Sequence, residues 1–451
     1  MAETEQADRP TRLQRLRRAL EKGTLASVRR MLKALHPAEI AGLLESLPPH
    51  ERKIAWELVD PANDGEVLIH VNDEVREGLI RDMDPEELLA ATEAMDLDDL
   101  ADLLQDLPDT VSRELLHSMH MQNRRRLEAV MSYPEDSAGG LMNTDPITIR
   151  ADVTLDVVLR YLRLRGQIPE HTDSLIVVDR GNHYRGMLPL SRLLIEQPDK
   201  TVTEVMNRDV AAMPATLPAI EVAKLFEQRD FISAPVIDEN EVLLGRITID
   251  DVVDVIREQA EHDLMSMAGL DEEEDMFAPV IASARRRAVW LGINLITAFM
   301  AAWVIGMFEA TLEQVVALAV LMPIVASMGG IAGSQTLTLM IRGLALGQVE
   351  PSNARWLVLK ELSVGALNGI IWSLVVATIA VIWFGSVAIG GIIATAIMIN
   401  LLAAALSGVG IPLLLKKLGI DPALAGSVVL TTVTDIAGFF AFLGLATLLL
   451  L

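Results

Sequence analysis

The chain has 451 residues, with 62 Asp and Glu against 38 Lys and Arg, 51% hydrophobic side chains, 4% aromatic ones and no cysteine. The acidic excess argues against a nucleic-acid partner, and the absence of Cys excludes a disulfide scaffold, a zinc ribbon and a thiol nucleophile. Of the charged residues, 33 basic and 56 acidic ones precede Ala288, so an acidic part of net charge -23 is followed by a part with almost no charge.

From about Thr11 to Tyr133, short helical segments are punctuated by proline and acidic starts. Examples are His36-Pro37-Ala38-Glu39, Leu47-Pro48-Pro49, Met83-Asp84-Pro85-Glu86-Glu87 and Leu107-Pro108-Asp109. Proline in the first turn with a carboxylate beside it is how a helix N-terminus is commonly written. Apolar residues then recur at helical spacing, as in Leu88, Ala91 and Met95. A compact all-α, superhelical domain of stacked short helices is predicted over residues 1–134. Met1 to Arg18 is charged and has no apolar core, so no signal peptide is expected there.

Two related units follow, over 135–200 and 201–256. Leu141-Met142-Asn143 recurs as Val205-Met206-Asn207 at an offset of 64, and Val177-Val178-Asp179 as Val236-Ile237-Asp238 at an offset of 59. Gly186 matches Gly245 at the same 59, so the copies differ by a short insertion near Leu164 to Glu170. Each copy reads as strand, amphipathic helix (Leu155 to Leu164; Ala219 to Gln228), β-branched strand, turn, strand and helix. This pattern resembles a tandem pair of α/β CBS domains, a regulatory module whose cleft often holds adenine nucleotides such as ATP. Sites of that kind commonly hold a ribose with Thr-x-x-Asp, because one carboxylate can accept from both sugar hydroxyls. Thr248 and Asp251 fit the pattern in the second copy, whereas Pro189 and Arg192 stand there in the first. Thr248 also reads as a plain helix N-cap.

A helix is predicted from Asp250 to about Ala268, leading into the acidic run Asp271-Glu272-Glu273-Glu274-Asp275; residues 257–283 form a connecting segment. At 100° per residue, Asp251, Asp254, Glu258 and Glu261 fall within about 80° of one another on one face. Like charges at i, i+3 and i+4 cost a few tenths of a kcal/mol per pair, a sign that a bound divalent cation would reverse. The face reads either as a metal site or as an ordinary solvated acidic surface.

Residues 284–451 read as a membrane domain. A hydrocarbon core about 30 Å thick needs roughly 20 apolar helical residues. Ala288 to Phe308 is a charge-free run of 21, Gln314 to Ile341 one of 28 and Leu362 to Leu415 one of 54. The last divides at Trp383-Phe384-Gly385-Ser386, and Pro422 to Leu451 adds a segment whose only charge is Asp435. Five spans are expected, near 288–308, 314–341, 356–384, 387–415 and 423–450. Arg285 to Arg287, Arg342, Arg355, Lys360, Lys416 and Lys417 all fall on one side of such a bundle. Basic residues accumulate on the cytoplasmic side, which puts the N-terminal half in the cytoplasm and Leu451 outside.

Asp435 lies 13 residues after Pro422, roughly 20 Å into the last span. A carboxylate at that depth costs at least about 2.5 kcal/mol and needs a partner or water. No Lys, Arg or His sits at comparable depth in the other spans. A cation from solution is the simplest partner, with Thr431, Thr432 and Thr434 adding neutral oxygens and Gly329, Gly330 and Gly333 permitting close helix approach. The alternative is an acid held in a packing interface. A wide pore of hydroxyls, carbonyls and one acid suits hydrated Mg²⁺, which sheds water reluctantly. No G-x-x-x-x-G-K-[ST] occurs and no catalytic spacing stands out among the eight His, so neither an ATP-driven pump nor an enzyme is expected.

The second span carries Pro323-Ile324-Val325-Ala326-Ser327-Met328-Gly329-Gly330-Ile331-Ala332-Gly333-Ser334-Gln335-Thr336, and the last Gly419-Ile420-Asp421-Pro422 and Thr431-Thr432-Val433-Thr434-Asp435. With the helical domain and the CBS pair in front, this order resembles the MgtE family of magnesium channels and transporters along essentially the whole chain. The resemblance implies a homodimer with paired Asp435 side chains at a central pore and cytoplasmic domains that sense Mg²⁺ and close it. The sensing carboxylates it implies are Glu66, Asp98 and Asp102 in the helical domain, Asp230, Asp251 and Asp254 in the second CBS unit, and Asp263 on the connecting helix, which Asp421 meets from the membrane side. Gln259 and His262 stand where the family has two acids, which implies either a weaker Mg²⁺ affinity at the connecting helix or a load shifted to neighbours such as Glu258 and Glu261. Ile331 stands where relatives often have Asn, which leaves a carrier of Mn²⁺, Co²⁺ or Ca²⁺ open. From another class, a membrane-tethered nucleotide sensor remains.

Overall fold

The computed structural model describes residues 11–451 apart from 93, 94, 96, 108, 145, 170, 271–273 and 351, and backbone alone at 85, 97, 98, 105, 106, 109–111, 114, 118 and 122. The chain divides into two compact units.

The first unit begins with α1 (Arg12–Glu21), α2 (Leu25–Leu32), α3 (Pro37–Glu45), α4 (Pro49–Trp56), α5 (Asp64–His70), α6 (Asp73–Ile80), α7 (Pro85–Thr92), α8 (Leu97–Asp106), α9 (Asp109–Ser118) and α10 (Met121–Val130). Local chemistry sets where these helices start. Thr11 and Gln14 form a capping box at α1, Asn72 accepts from Val75 N at α6, and Pro37 and Pro49 occupy the first turns of α3 and α4. Each helix is too short to persist alone, so packing has to hold it.

Next come β1 (Thr148–Arg150), α11 (Leu155–Arg165), β2 (Ser174–Val178), β3 (Tyr184–Pro189) and α12 (Leu190–Ile195). The second copy has α13 (Val202–Val205), β4 (Met213–Pro214), α14 (Ala219–Arg229), β5 (Ser233–Ile237), β6 (Leu243–Thr248) and α15 (Ile249–Met267). In each three-stranded sheet the first strand is parallel and the third antiparallel to the middle one. The irregularity between Val177 and Val178 recurs between Val236 and Ile237, so the repeat extends to a β-bulge.

The two short motifs seen in the sequence pack crosswise. Asn143, ahead of β1 in the first copy, bonds Arg246 of the second sheet (N to O, 2.8 Å), and Asn207 bonds Met187 of the first (2.7 Å). Gly186 and Gly245 make room for these crossings: a Cβ would stand 2.6 Å from Asn207 O and 2.5 Å from Asn143 O. One hydrophobic core runs from Leu16, Leu44 and Leu68 through Leu127 and Met142 to Phe226 and Ile247. The helical domain thus shares its core with the second CBS copy, while the first copy keeps its own around Leu155, Val177 and Leu188.

The second unit holds the end of α15 and then α16 (Val280–Gly306), α17 (Glu309–Gln314), α18 (Ala317–Ala345), α19 (Ala354–Phe384), α20 (Val387–Lys417) and α21 (Pro422–Leu450). Five of these helices are long and apolar enough to cross a bilayer. The first span starts eight residues earlier than expected, because Arg285 to Arg287 extend the helix; the second starts later, because α17 intervenes. Gly385 (φ +66°) closes α19 and Ser386 caps α20, as the turn-like sequence predicts. α20 is the central helix of the bundle, packing against α18, α19 and α21.

Candidate cation-binding site

Asp435 sits on α21 and is half-buried, with no Lys, Arg or His paired to it among the described residues. Thr431 and Thr432 lie on its face of the helix, since offsets of three and four residues return to the same side. Their hydroxyls donate to Ser427 and Val428 carbonyls (3.1 and 2.7 Å), so only oxygen lone pairs remain to meet a cation or its water. Thr434 differs from expectation. It is fully buried, turned about 100° away toward the bundle, and donates to Thr431 O, so it lines packing rather than the acid's surroundings.

Two of the three expected glycines bring helices together. A Cβ at Gly329 would stand 2.2 Å from Asn400 Nδ2, and one at Gly333 2.9 Å from Leu430. Gly330 faces open space. Gly408, Gly426 and Gly438 complete the close approaches, against Thr336, Leu337 and Asn400. Ile331 is 58% exposed on the surface of the single chain.

Two buried polar groups escaped the sequence reading. Asn400, 0% exposed, donates from Nδ2 to Val325 O of α18 (2.8 Å), and its Oδ1 has no hydrogen-bond partner among the described residues. Leaving such an oxygen unpaired costs about 1–3 kcal/mol. Glu361 of α19 is buried, accepts from Thr336 Oγ1 (3.2 Å) and pairs with Lys360. The signal for Asn400 was legible, since it is the only amide in the apolar α20.

Asp421 is the N-cap of α21 and accepts from Ala423 N (2.9 Å) and Leu424 N (3.1 Å). His262 Nε2, on the last part of α15, lies 3.4 Å from Asp421 Oδ2. Met267 packs beside it against Leu337, Ile341, Ala423 and Leu430, and Gly269 (φ +69°) sits under the Trp290 ring of α16. The end of the connecting helix is therefore joined to α18 and α21 by the apolar packing of Met267 and by the His262–Asp421 contact.

The candidates of the first unit are dispersed, and Glu261 and Asp263 lie on the part of α15 that belongs to the second unit. Glu66 is exposed on α5, Asp102 is half-buried on α8, and Asp98 belongs to α8 with its side chain outside the described residues. Asp230 is exposed at the left-handed C-cap of α14 (φ +52°). Asp254 reaches Arg257 (3.5 Å), while Glu258 and Glu261 are exposed along α15 and Asp263 is half-buried in its last turns. Asp251 Oδ2 accepts from Thr248 N and Thr248 Oγ1, both at 3.1 Å, so the pair caps α15. Burial, with Asp250 alongside, pushes the Asp251 carboxyl up to about 7. Burial, with Glu87 and Asp60 nearby, likewise raises Asp64 to about 6, an acid the sequence reading passed over. No three His, Asp or Glu side chains converge as a metal cage among the described residues. Mg²⁺ needs only one or two carboxylates and retained waters, so neighbouring acids such as Asp250 and Asp251, or Asp254 and Glu258, fit it better than they fit Ca²⁺.

Five apolar helices, the last of them carrying Asp435, preceded by a helical domain and a CBS pair, define a multi-pass membrane protein. Residues 322–445 match the divalent cation transporter family MgtE, 35–136 its intracellular N domain, and 138–199 and 202–258 the CBS domain. The magnesium transporter MgtE of Thermus thermophilus is 32% identical over 440 residues, covering 96% of this chain and 98% of that one. That of Bacillus subtilis is 29% identical over 430 residues, covering 95% of each. The crystal structure of the cytosolic domain of the Mg²⁺ channel MgtE in complex with ATP is 33% identical, covers 53% of this chain and 98% of that chain, and aligns with a TM-score of 0.49. The chain belongs to the MgtE family of magnesium transporters.

Proposed function

We propose that the protein is a homodimeric, Mg²⁺-selective channel or transporter of the bacterial cytoplasmic membrane. The ion moves inward down its electrochemical gradient, and Mg²⁺ bound to the acidic cytoplasmic half closes the path. The observation that carries this reading is Asp435, a carboxylate deep in an apolar helix with no basic partner among the described residues. One carboxylate cannot neutralise a dication, whereas two related by a twofold axis can. The positive-inside pattern supports a cytoplasmic N-terminal half and an external C-terminus.

For closure, the available energy is the difference in metal affinity between open and closed states. Repelling carboxylates on α15 and in the helical domain separate when metal is scarce and approach when it is abundant. Asp421 and His262 join the moving helix to the pore helix. An adenine nucleotide at the CBS pair would have to replace the bonds that Thr248 and Asp251 now make to each other.

Mg²⁺ flux into proteoliposomes tests the reading: the intact protein should transport and Asp435→Ala should not. Undiminished flux in Asp435→Ala would leave the membrane half as an anchor for a nucleotide sensor. Ile331, exposed and apolar, favours one variation, in which discrimination against Mn²⁺, Co²⁺ or Ca²⁺ is relaxed. Competition by these ions for Mg²⁺ uptake measures it.

A further inference from the structure

The carboxamide of Asn400 meets two other helices, α18 and α21, at three points. Its Nδ2 donates to Val325 O of α18, and it presses against Gly329 of α18 and Gly438 of α21, where a Cβ would stand 2.2 and 2.7 Å from Nδ2. Those distances leave no room for any side chain larger than hydrogen at either position. Gly438 lies three residues beyond Asp435, so the contact sits about one helical turn from the acid along α21.

Packing alone does not account for this arrangement. An apolar residue of similar size would fill the space without an unpaired oxygen, and Asn400 keeps one at a fully buried position. What an amide adds is direction: a hydrogen bond to one named carbonyl fixes the rotation and height of α18 relative to α20, and through Gly438 those of α21. We propose that Asn400 is a positioning residue for Asp435, locking α18 and α21 so that the acid holds one fixed place along the cation's path. This rests on the transport reading above. Asn400 itself touches no ion.

The test compares Asn400→Leu with the intact protein and Asp435→Ala in proteoliposomes. Half-saturating Mg²⁺, maximal flux and Ca²⁺ competition are read, and folding is followed by monodispersity and melting in detergent. The expected result for Asn400→Leu is a folded protein whose half-saturating Mg²⁺ rises about tenfold, with weaker discrimination against Ca²⁺. A second variant, Asn400→Ala with Gly438→Ala, refills the space without restoring the bond to Val325 and should show the same rise. If either folded variant keeps the original half-saturation and discrimination, or if neither folds, the residue is structural and the proposal is overturned. Flux that survives Asp435→Ala would instead sink the transport reading itself.

Discussion

Asp251 is at once a helix cap and a partly buried acid. Its carboxylate caps α15 through Thr248, and burial beside Asp250 raises it to about 7, against roughly 4 for an unfolded carboxylate. The folded state therefore holds a proton that the unfolded chain has already released. Stability from this group is full below about pH 4 and is lost as pH rises through about 7, by on the order of 4 kcal/mol. Metal-free protein should accordingly melt at a higher temperature near pH 5 than near pH 7.5. Asp251→Asn, which keeps an acceptor oxygen for Thr248, should flatten that dependence. If Asp251 holds Mg²⁺, added Mg²⁺ should flatten it too, by replacing the proton as the compensating charge. A slope unchanged in Asp251→Asn would assign it to other acids, such as Asp64.

At the scale of elements, the two CBS copies diverge where their last helices begin. Pro189 starts the six-residue α12, whereas the Thr248–Asp251 cap starts the nineteen-residue α15, whose last residues belong to the second unit. Asp421 then serves α21 twice, as N-cap and as the neighbour of His262. These roles are separable. Asp421→Ala should lower the melting temperature by about 2 °C through the lost cap. Asp421→Ser should restore the cap but not closure by cytoplasmic Mg²⁺. Restoration of closure by serine would reduce Asp421 to its capping role.

Over the whole molecule, the chain leaves the first unit after Ala260 and returns to it for residues 274–278 before entering α16. The returning segment is anchored by Asp275, which is buried against Arg52 at 2.8 Å, while Glu74 accepts from its backbone N–H at 2.7 Å. Arg52 also donates to the Leu44 and Leu47 carbonyls, so it joins the helical domain to the stretch just ahead of the first span. Breaking such a pair from one side costs roughly 3–5 kcal/mol. Deleting residues 1–134 should leave currents that high cytoplasmic Mg²⁺ no longer suppresses. Because that deletion strands Asp275, it is best made together with Asp275→Asn. Closure by Mg²⁺ in the truncated protein would remove the helical domain from the sensor.

The sequence by itself determined the elements and their class. A run of twenty apolar residues has one low-energy environment, and a repeat written in β-branched strands and glycines has few folds open to it, so the spans, the CBS pair and the isolation of Asp435 were all legible. What it left open depends on where distant side chains meet. Thr434 shares a threonine cluster with Thr431 and Thr432, yet only packing decided that it faces the bundle. The crossing of Asn143 and Asn207 to opposite sheets and the burial of Arg52 with Asp275 are contacts between residues far apart in the chain. So is the Asn400 carboxamide between Gly329 and Gly438, a pairing of helices that periodicity along any single helix does not encode.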